Sequence, residues 1–243
     1  MVFVGRERET ARIAAELSSG RNVVVAGTCG IGRTSLVRHV AESMGGQWRF
    51  LFVDFSQAPA RVWLDLAGMI ERRRVRTSRL GKITFRSARS QVLTAEPGEA
   101  GRRVLVLDNV GTVTAPRLGL VGRLVSAGRF QLIAVADSQI GQAKVLLLRG
   151  ALYPVALLEL ARLPRRACRE YFETVSRRLG LDWGEGEIAG LAEATGGFPL
   201  MMAEAASRAQ SRAAVSGGSA PGAMERNSTP HAPVPSASRG SER

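Results

Sequence analysis

The chain has 243 residues, is 45% hydrophobic, and sets 34 Lys and Arg against 21 Asp and Glu, a formal charge of +13. That length holds one moderate domain and a small second one. No uncharged apolar run reaches the roughly 18 residues that a membrane span requires, and the opening residues lack a signal peptide's apolar core. No membrane association and a cytoplasmic address are therefore expected. The two cysteines, Cys29 and Cys168, and the two histidines, His39 and His231, fit neither a disulfide framework nor a zinc spacing. The positive charge favours polyanionic partners such as nucleic acid, but arginine is spread along the whole chain rather than gathered in one place.

Glu7 to Ser19 predicts a helix, because Ala11, Ile13, Ala14 and Leu17 recur at roughly helical spacing and Gly20 can take the left-handed stop. Asn22 to Ala26, with Val23-Val24-Val25, predicts a buried strand. A glycine-rich turn follows, then a helix from Thr34 to Met44 with Leu36, Val37, Val40 and Met44 on one side. Arg49 to Phe55 reads as a second strand and Arg61 to Arg73 as a helix. Arg72 to Ala100 is basic, has weak periodicity and supports no assignment. Val104 to Leu107 is a third strand, Leu118 to Ala127 a helix, and Phe130 to Val135 a fourth strand. Val145 to Leu148 and Tyr153 to Leu157 compete for the fifth. Helices are expected over Ala167 to Leu179, Glu185 to Ala194 and Leu200 to Ala214. From about Ser216 the chain turns to Ser, Gly, Pro and Ala, which cannot bury enough apolar surface to offset the entropy of ordering, so a disordered tail is expected. Strands alternating with helices imply a mostly parallel sheet covered on both faces. The expected division is a core over residues 1–160, a helical lid over 161–214 and a tail over 215–243.

Residues 27 to 34 read Gly27-Thr28-Cys29-Gly30-Ile31-Gly32-Arg33-Thr34. This matches the P-loop pattern G-x-x-x-x-G-K-[ST] at every fixed position but the lysine, and it lies between an apolar strand and a helix, as that motif requires. Glycines let the backbone approach an anion, successive N–H groups form a nest, and the helix N-terminus adds partial positive charge. Thr34 offers a hydroxyl to a Mg²⁺ bridging two phosphates. Gly27, Gly30, Ile31, Gly32, Arg33, Thr34 and Ser35 are thus the expected nucleotide-binding residues of the turn. Arg33 keeps the positive charge of the usual lysine on a larger, planar head. Binding is expected to persist, while hydrolysis, which depends on accurate positioning, is weakened.

Val104-Leu105-Val106-Leu107-Asp108 is an apolar run ending in an acid, the Walker B pattern. Asp108 would stand at the carboxyl end of a parallel strand, where open α/β sheets bind ligands, and would share the Mg²⁺ with Thr34. Asn109 holds the place where many ATPases carry a glutamate that orients the attacking water; an asparagine can hydrogen-bond water but cannot take its proton. Asp108 and Asn109 are the candidate catalytic pair.

Phe3-Val4-Gly5-Arg6-Glu7-Arg8-Glu9 resembles the h-h-G-R-E-x-E box that precedes the P-loop in STAND-class NTPases and related AAA+-like ATPases. Thr195-Gly196-Gly197-Phe198-Pro199 resembles the G-x-P motif of the same family's helical lid. The resemblance implies a P-loop NTPase fold with a five-stranded sheet in the order 5-1-4-3-2 and a small helical lid. It implies ATP or ADP with Mg²⁺ as the ligand, Val4, Gly5 and Arg6 beside the base, and Pro199 packed near the nucleotide. A nucleotide-dependent switch with slow or absent hydrolysis is the function it suggests, and a protein partner or homo-oligomer is compatible with it.

At the family's γ-phosphate sensor the chain has Ala136-Asp137-Ser138. Asp137 would repel phosphate, which leaves Ser138 as the sensor candidate; Arg123, Arg129 and Arg149 are candidate cationic partners. An active ATPase of the same fold is the first alternative. The second is a basic nucleic-acid-binding module, acting through Arg72–Arg79 and carrying a vestigial P-loop; that run includes no aromatic residue and reads more simply as a solvated loop on the sheet's rim.

Overall fold

The structure is a computed structural model and describes residues 2–46, 48–71, 84–95 and 102–217. The basic run Arg72–Arg79 and residues 218–243 of the expected tail lie outside the described residues.

The elements follow in the order α1 (Glu7–Ser18), β1 (Asn22–Gly27), α2 (Arg33–Ser43), β2 (Trp48–Asp54), α3 (Pro59–Glu71), α4 (Phe85–Leu93), β3 (Arg102–Val110), α5 (Ala115–Ser126), β4 (Gln131–Asp137), α6 (Gln142–Ala151), β5 (Val155–Glu159), α7 (Arg165–Leu179), α8 (Glu185–Ala194) and α9 (Pro199–Gly217). The strands form one five-stranded sheet in the order β2-β3-β4-β1-β5, with every neighbouring pair parallel. This is the expected order read from the other edge. The competition for the fifth strand resolves in favour of Val155–Glu159, and Val145–Leu148 belongs to α6 instead. The reason is burial: Leu148 is buried while Leu146 and Leu147 are 66% and 56% exposed, so the apolar run does not sit between two covered faces as a parallel strand must.

Side chains alternate along each strand and divide the core in two. Val23, Val25, Val104, Val106, Ile133 and Val135 join Ile13 and Leu17 of α1 and Leu36, Val37 and Val40 of α2 on one face. Val24, Ala26, Leu105, Leu107, Leu132 and Ala134 meet α3 to α6 on the other. The valines of β1 are therefore all buried, because this strand lies between two others and under helices on both faces. Asn22 at its start is also buried, and both ends of its amide are bonded: it donates to the Leu152 carbonyl at 2.7 Å and accepts from Leu132 N–H at 2.8 Å. The helix α4 was not expected. Thr84 caps it by accepting from Ser87 N–H, and its Ala88 and Val92 pack into the core with Val62, Trp63 and Leu66 of α3.

After β5 the chain forms α7, α8 and α9 around a third apolar cluster containing Cys168, Phe172, Ile188 and Met202. Val4 from the N-terminal segment belongs to the same cluster, so the first residues of the chain lie against the last helices.

Candidate functional site

β1 delivers the chain to the turn at residues 27–34 on the carboxyl edge of the sheet. Ile31 N–H donates to the Thr28 carbonyl at 3.2 Å and tightens the turn. Gly30 and Gly32 have φ of +80° and +91°, conformations that side chains with a Cβ seldom take. Such a turn gathers its N–H groups on one side as an anion-binding nest. Gly32 is also the N-cap of α2, so the first free N–H groups of that helix continue the nest. Thr34 Oγ1 donates to Asp108 Oδ1 at 2.9 Å, which sets two hard oxygen donors side by side at the start of the helix.

A shift of register in β3 explains how Asp108 gets there. The ladder with β4 runs regularly to Leu107 and resumes at Val110, so Asp108 and Asn109 sit in a bulge. Asn109 has φ of +60°, and its side-chain amide donates to Asp54 Oδ1 at 3.2 Å. Asp54 stands opposite Asp108 at the end of β2. The Ser56 hydroxyl and backbone N–H, with the Gln57 and Asn109 amides, hold the Asp54 carboxyl down at about 2, against an ordinary 3.8.

Arg33 does not project freely. One of its terminal nitrogens donates to the Ala136 carbonyl and the other meets Asp137 Oδ2 at 3.1 Å. Asp137 ends β4 directly beside Gly27, and its other oxygen accepts from Gln139 N–H at 2.9 Å. Ser138 lines a cleft on the opposite side of the turn with Gly27, Thr28 and Arg149. Arg123 and Arg129 do not line that cleft.

On the other side an apolar pocket lies between the N-terminal segment, the turn and the last helices. It is lined by Val2, Phe3, Val4, Arg6, Ile31, Gly32, Ser35, Leu163, Tyr171, Pro199, Met202 and Ala203. Burial pushes the Tyr171 hydroxyl above its ordinary value. Arg6 is 5% exposed and ties three segments together. It pairs with Glu9 at 2.7 Å, donates to the Ala161 carbonyl at 2.6 Å, and reaches the Ile31 carbonyl at 3.4 Å. Gly5 N–H donates to Glu7 Oε1 at 3.0 Å, and Gly5 itself packs on Ala167 of α7. The first turn of α9 closes over the turn at residues 27–34: Leu200 N–H donates to the Gly30 carbonyl at 3.1 Å, and Pro199 packs on Gly32. Of the two thiols, Cys29 in the turn is exposed and Cys168 is buried.

Residues 2–148 match the family described as AAA ATPase domain. The chain belongs to this family. Among curated proteins none matches. Solved structures of three AAA-type proteins share the fold at low identity. Aeropyrum pernix Orc1, in complex with DNA, has 17% identity and a TM-score of 0.58 over 87% of this chain and 62% of its own. The Thermotoga maritima RuvB Holliday junction branch migration motor has 14% and 0.55 over 88% and 65%. S. cerevisiae Hsp104, in complex with casein, has 16% and 0.63 over 88% and 38%. The chain thus spans less than two thirds of each of these proteins.

The AAA ATPase domain fold brings most of the sequence-derived residues into one place. Gly27, Gly30, Gly32, Thr34 and Asp108 share the glycine-rich turn and its rim. Val4, Arg6, Ile31, Ser35 and Pro199 share the apolar pocket. Asn109 is turned towards Asp54, and Arg33 towards Asp137. Leu163, Tyr171 and Met202 also line the pocket and carry no motif. Ala167, Cys168, Tyr171, Phe172 and Val175 recur at helical spacing on α7, and that periodicity marks the helix's inward face. Among the described residues no helix is long and apolar enough to cross a membrane.

Proposed function

We propose that this AAA ATPase domain binds ATP or ADP with Mg²⁺ and acts as a nucleotide-dependent switch of the STAND type, with slow or absent hydrolysis. The observation that carries the reading is the hydrogen bond from Leu200 N–H to the Gly30 carbonyl, with Leu200 and Phe198 packed on Gly30. A ligand that reshapes the turn acts on the last helices through this backbone contact. ATP and ADP shift such an equilibrium only through differential affinity for its two positions.

The residues fit this ligand. The left-handed glycines and the start of α2 suit phosphates, and the apolar pocket suits a flat, weakly polar ring. Thr34 and Asp108 would hold Mg²⁺, which when bound would neutralise phosphate charge. Adenine over guanine follows from the family, and the chain has no N-K-x-D motif for guanine. Weak hydrolysis is supported by Asn109: its amide cannot take a proton, and it is committed to Asp54. Arg33, engaged by Asp137, supports it further.

Equilibrium binding of labelled ATP to the wild type and to Thr34→Ala tests the reading. Micromolar binding by the wild type, lost in the variant, supports it; equal and negligible binding by both refutes it. Steady phosphate release that disappears in Asp108→Ala would replace the switch with an active ATPase.

A nucleic-acid-binding role has its own supporting observation. The edge strand β2 presents Trp48, Phe50 and Phe52 along an open groove, with Arg38 over Phe52 at 4.9 Å and Arg102 over Trp48 at 5.3 Å. Salt-dependent binding of single-stranded DNA that ignores nucleotide would favour it.

A further inference from the structure

We propose that Asp137 makes the phosphate site selective for a nucleoside diphosphate over the triphosphate. The inference rests on the nucleotide-binding reading above and adds to it which nucleotide the resting site holds. In a P-loop the cation at the position of Arg33 reaches the β- and γ-phosphates. Here that cation is already held from two sides, by the Ala136 carbonyl and by Asp137 Oδ2 at 3.1 Å. The pair is only 14% and 24% exposed, so water screens it weakly.

The carboxylate cannot simply swing aside. Its second oxygen accepts from Gln139 N–H at 2.9 Å and caps the short helical turn Ser138–Ile140. The parallel register fixes its strand end beside Gly27, the first residue of the turn. A diphosphate can be held by the N–H groups of the turn and of the first turn of α2, which are backbone donors independent of Arg33. A γ-phosphate must share Arg33 with Asp137 and lie close to its carboxylate. At an effective dielectric of about 20, a like charge about 4 Å away is disfavoured on the order of a thousandfold before screening and Arg33 reduce it. A preference of about tenfold for the diphosphate is the expected net result.

The test is equilibrium titration of the full chain with labelled ADP and labelled ATP, each with Mg²⁺, for the wild type, Asp137→Asn and Asp137→Glu. The wild type should bind ADP about tenfold tighter, Asp137→Glu should keep the preference, and Asp137→Asn should bring the affinity ratio close to one. The wild-type ratio is itself a readout that needs no variant to fold. Equal wild-type affinities, or an unchanged ratio in Asp137→Asn, overturn the proposal and leave nucleotide binding standing. Loss of the Mg²⁺ dependence in Asp137→Asn also overturns it, by making Asp137 a metal partner. Binding of neither nucleotide by the wild type refutes the underlying reading as well.

Discussion

Replacing Gly197 with alanine should be far more damaging than the same change at Gly128. Both glycines are left-handed, with φ of +75° and +62°. Each substitution therefore carries the same conformational cost, roughly 1 kcal/mol for an L-residue. Their surroundings differ. A Cβ on Gly128 would meet nothing within 4 Å. A Cβ on Gly197 would lie 2.2 Å from the Leu163 carbonyl oxygen and 3.1 Å from Leu163 N, both backbone atoms that no rotamer change can move away. Relief requires Gly197 to separate from Leu163, whose N–H donates to the Gly197 carbonyl at 2.8 Å. Loss of that bond adds about 1 kcal/mol. Displacing Phe198 and Leu200 from Gly30 adds a similar packing term, for a total of about 3 kcal/mol. At 2–4 °C per kcal/mol for a chain of this size, Gly128→Ala should lower the melting temperature by about 3 °C and Gly197→Ala by about 9 °C. Thermal unfolding followed by circular dichroism measures both. Melting temperatures that agree within a degree or so would mean that Gly197 is no close-packed joint between α7 and α9, and the reasoning would fail.

Arg6→Ala should cost about 3 kcal/mol, read as a lower denaturant midpoint, because it leaves the Ile31 and Ala161 carbonyls and Glu9 without their buried donor. Arg6→Lys should recover only part of that loss, since an ammonium cannot reproduce the guanidinium fork. The depressed Asp54 carboxyl adds stability that is present above its unfolded value of about 3.8 and is lost as pH falls through about 2. Asp54→Asn should therefore flatten the stability profile between about pH 4 and pH 2, and an unchanged acid limb would contradict the assignment. Asn109→Gly should be nearly neutral for stability and Asn109→Val should cost about 2 kcal/mol, because φ of +60° is accessible to glycine and strained for a β-branched residue. Equal midpoints for the two variants would argue against the bulge at Asp108.

The turn at residues 27–34 was legible in the sequence because its pattern is local: eight consecutive residues carry the glycines, the cation and the hydroxyl. Strand order followed from the family resemblance. What stayed hidden depends on contacts between distant segments. Asp137 reads along the chain as a charge that repels phosphate; only the parallel register, which sets it beside Gly27, makes it the partner of Arg33. Tyr171 and Met202 enter the pocket through the packing of α7 and α9 on the N-terminal segment. The helix α4 was obscured because its buried residues are few: Ala88 and Val92 sit among Arg86, Ser87, Arg89 and Ser90, and its support comes from α3. The fifth strand was ambiguous because Val145 to Leu148 is as apolar as a strand, and only exposure tells the two apart.

The contrast between the two thiols gives this protein a built-in reporter. A thiol-directed fluorophore applied to the folded chain reaches Cys29, in the turn at residues 27–34, and is kept from Cys168, which is buried on the inner face of α7. The emission of such a label would follow the seating of Leu200 on Gly30 in real time, with every native side chain but one untouched. The labelling stoichiometry would at the same moment count unfolded molecules, rising from one dye per chain towards two as the helices around Cys168 come apart.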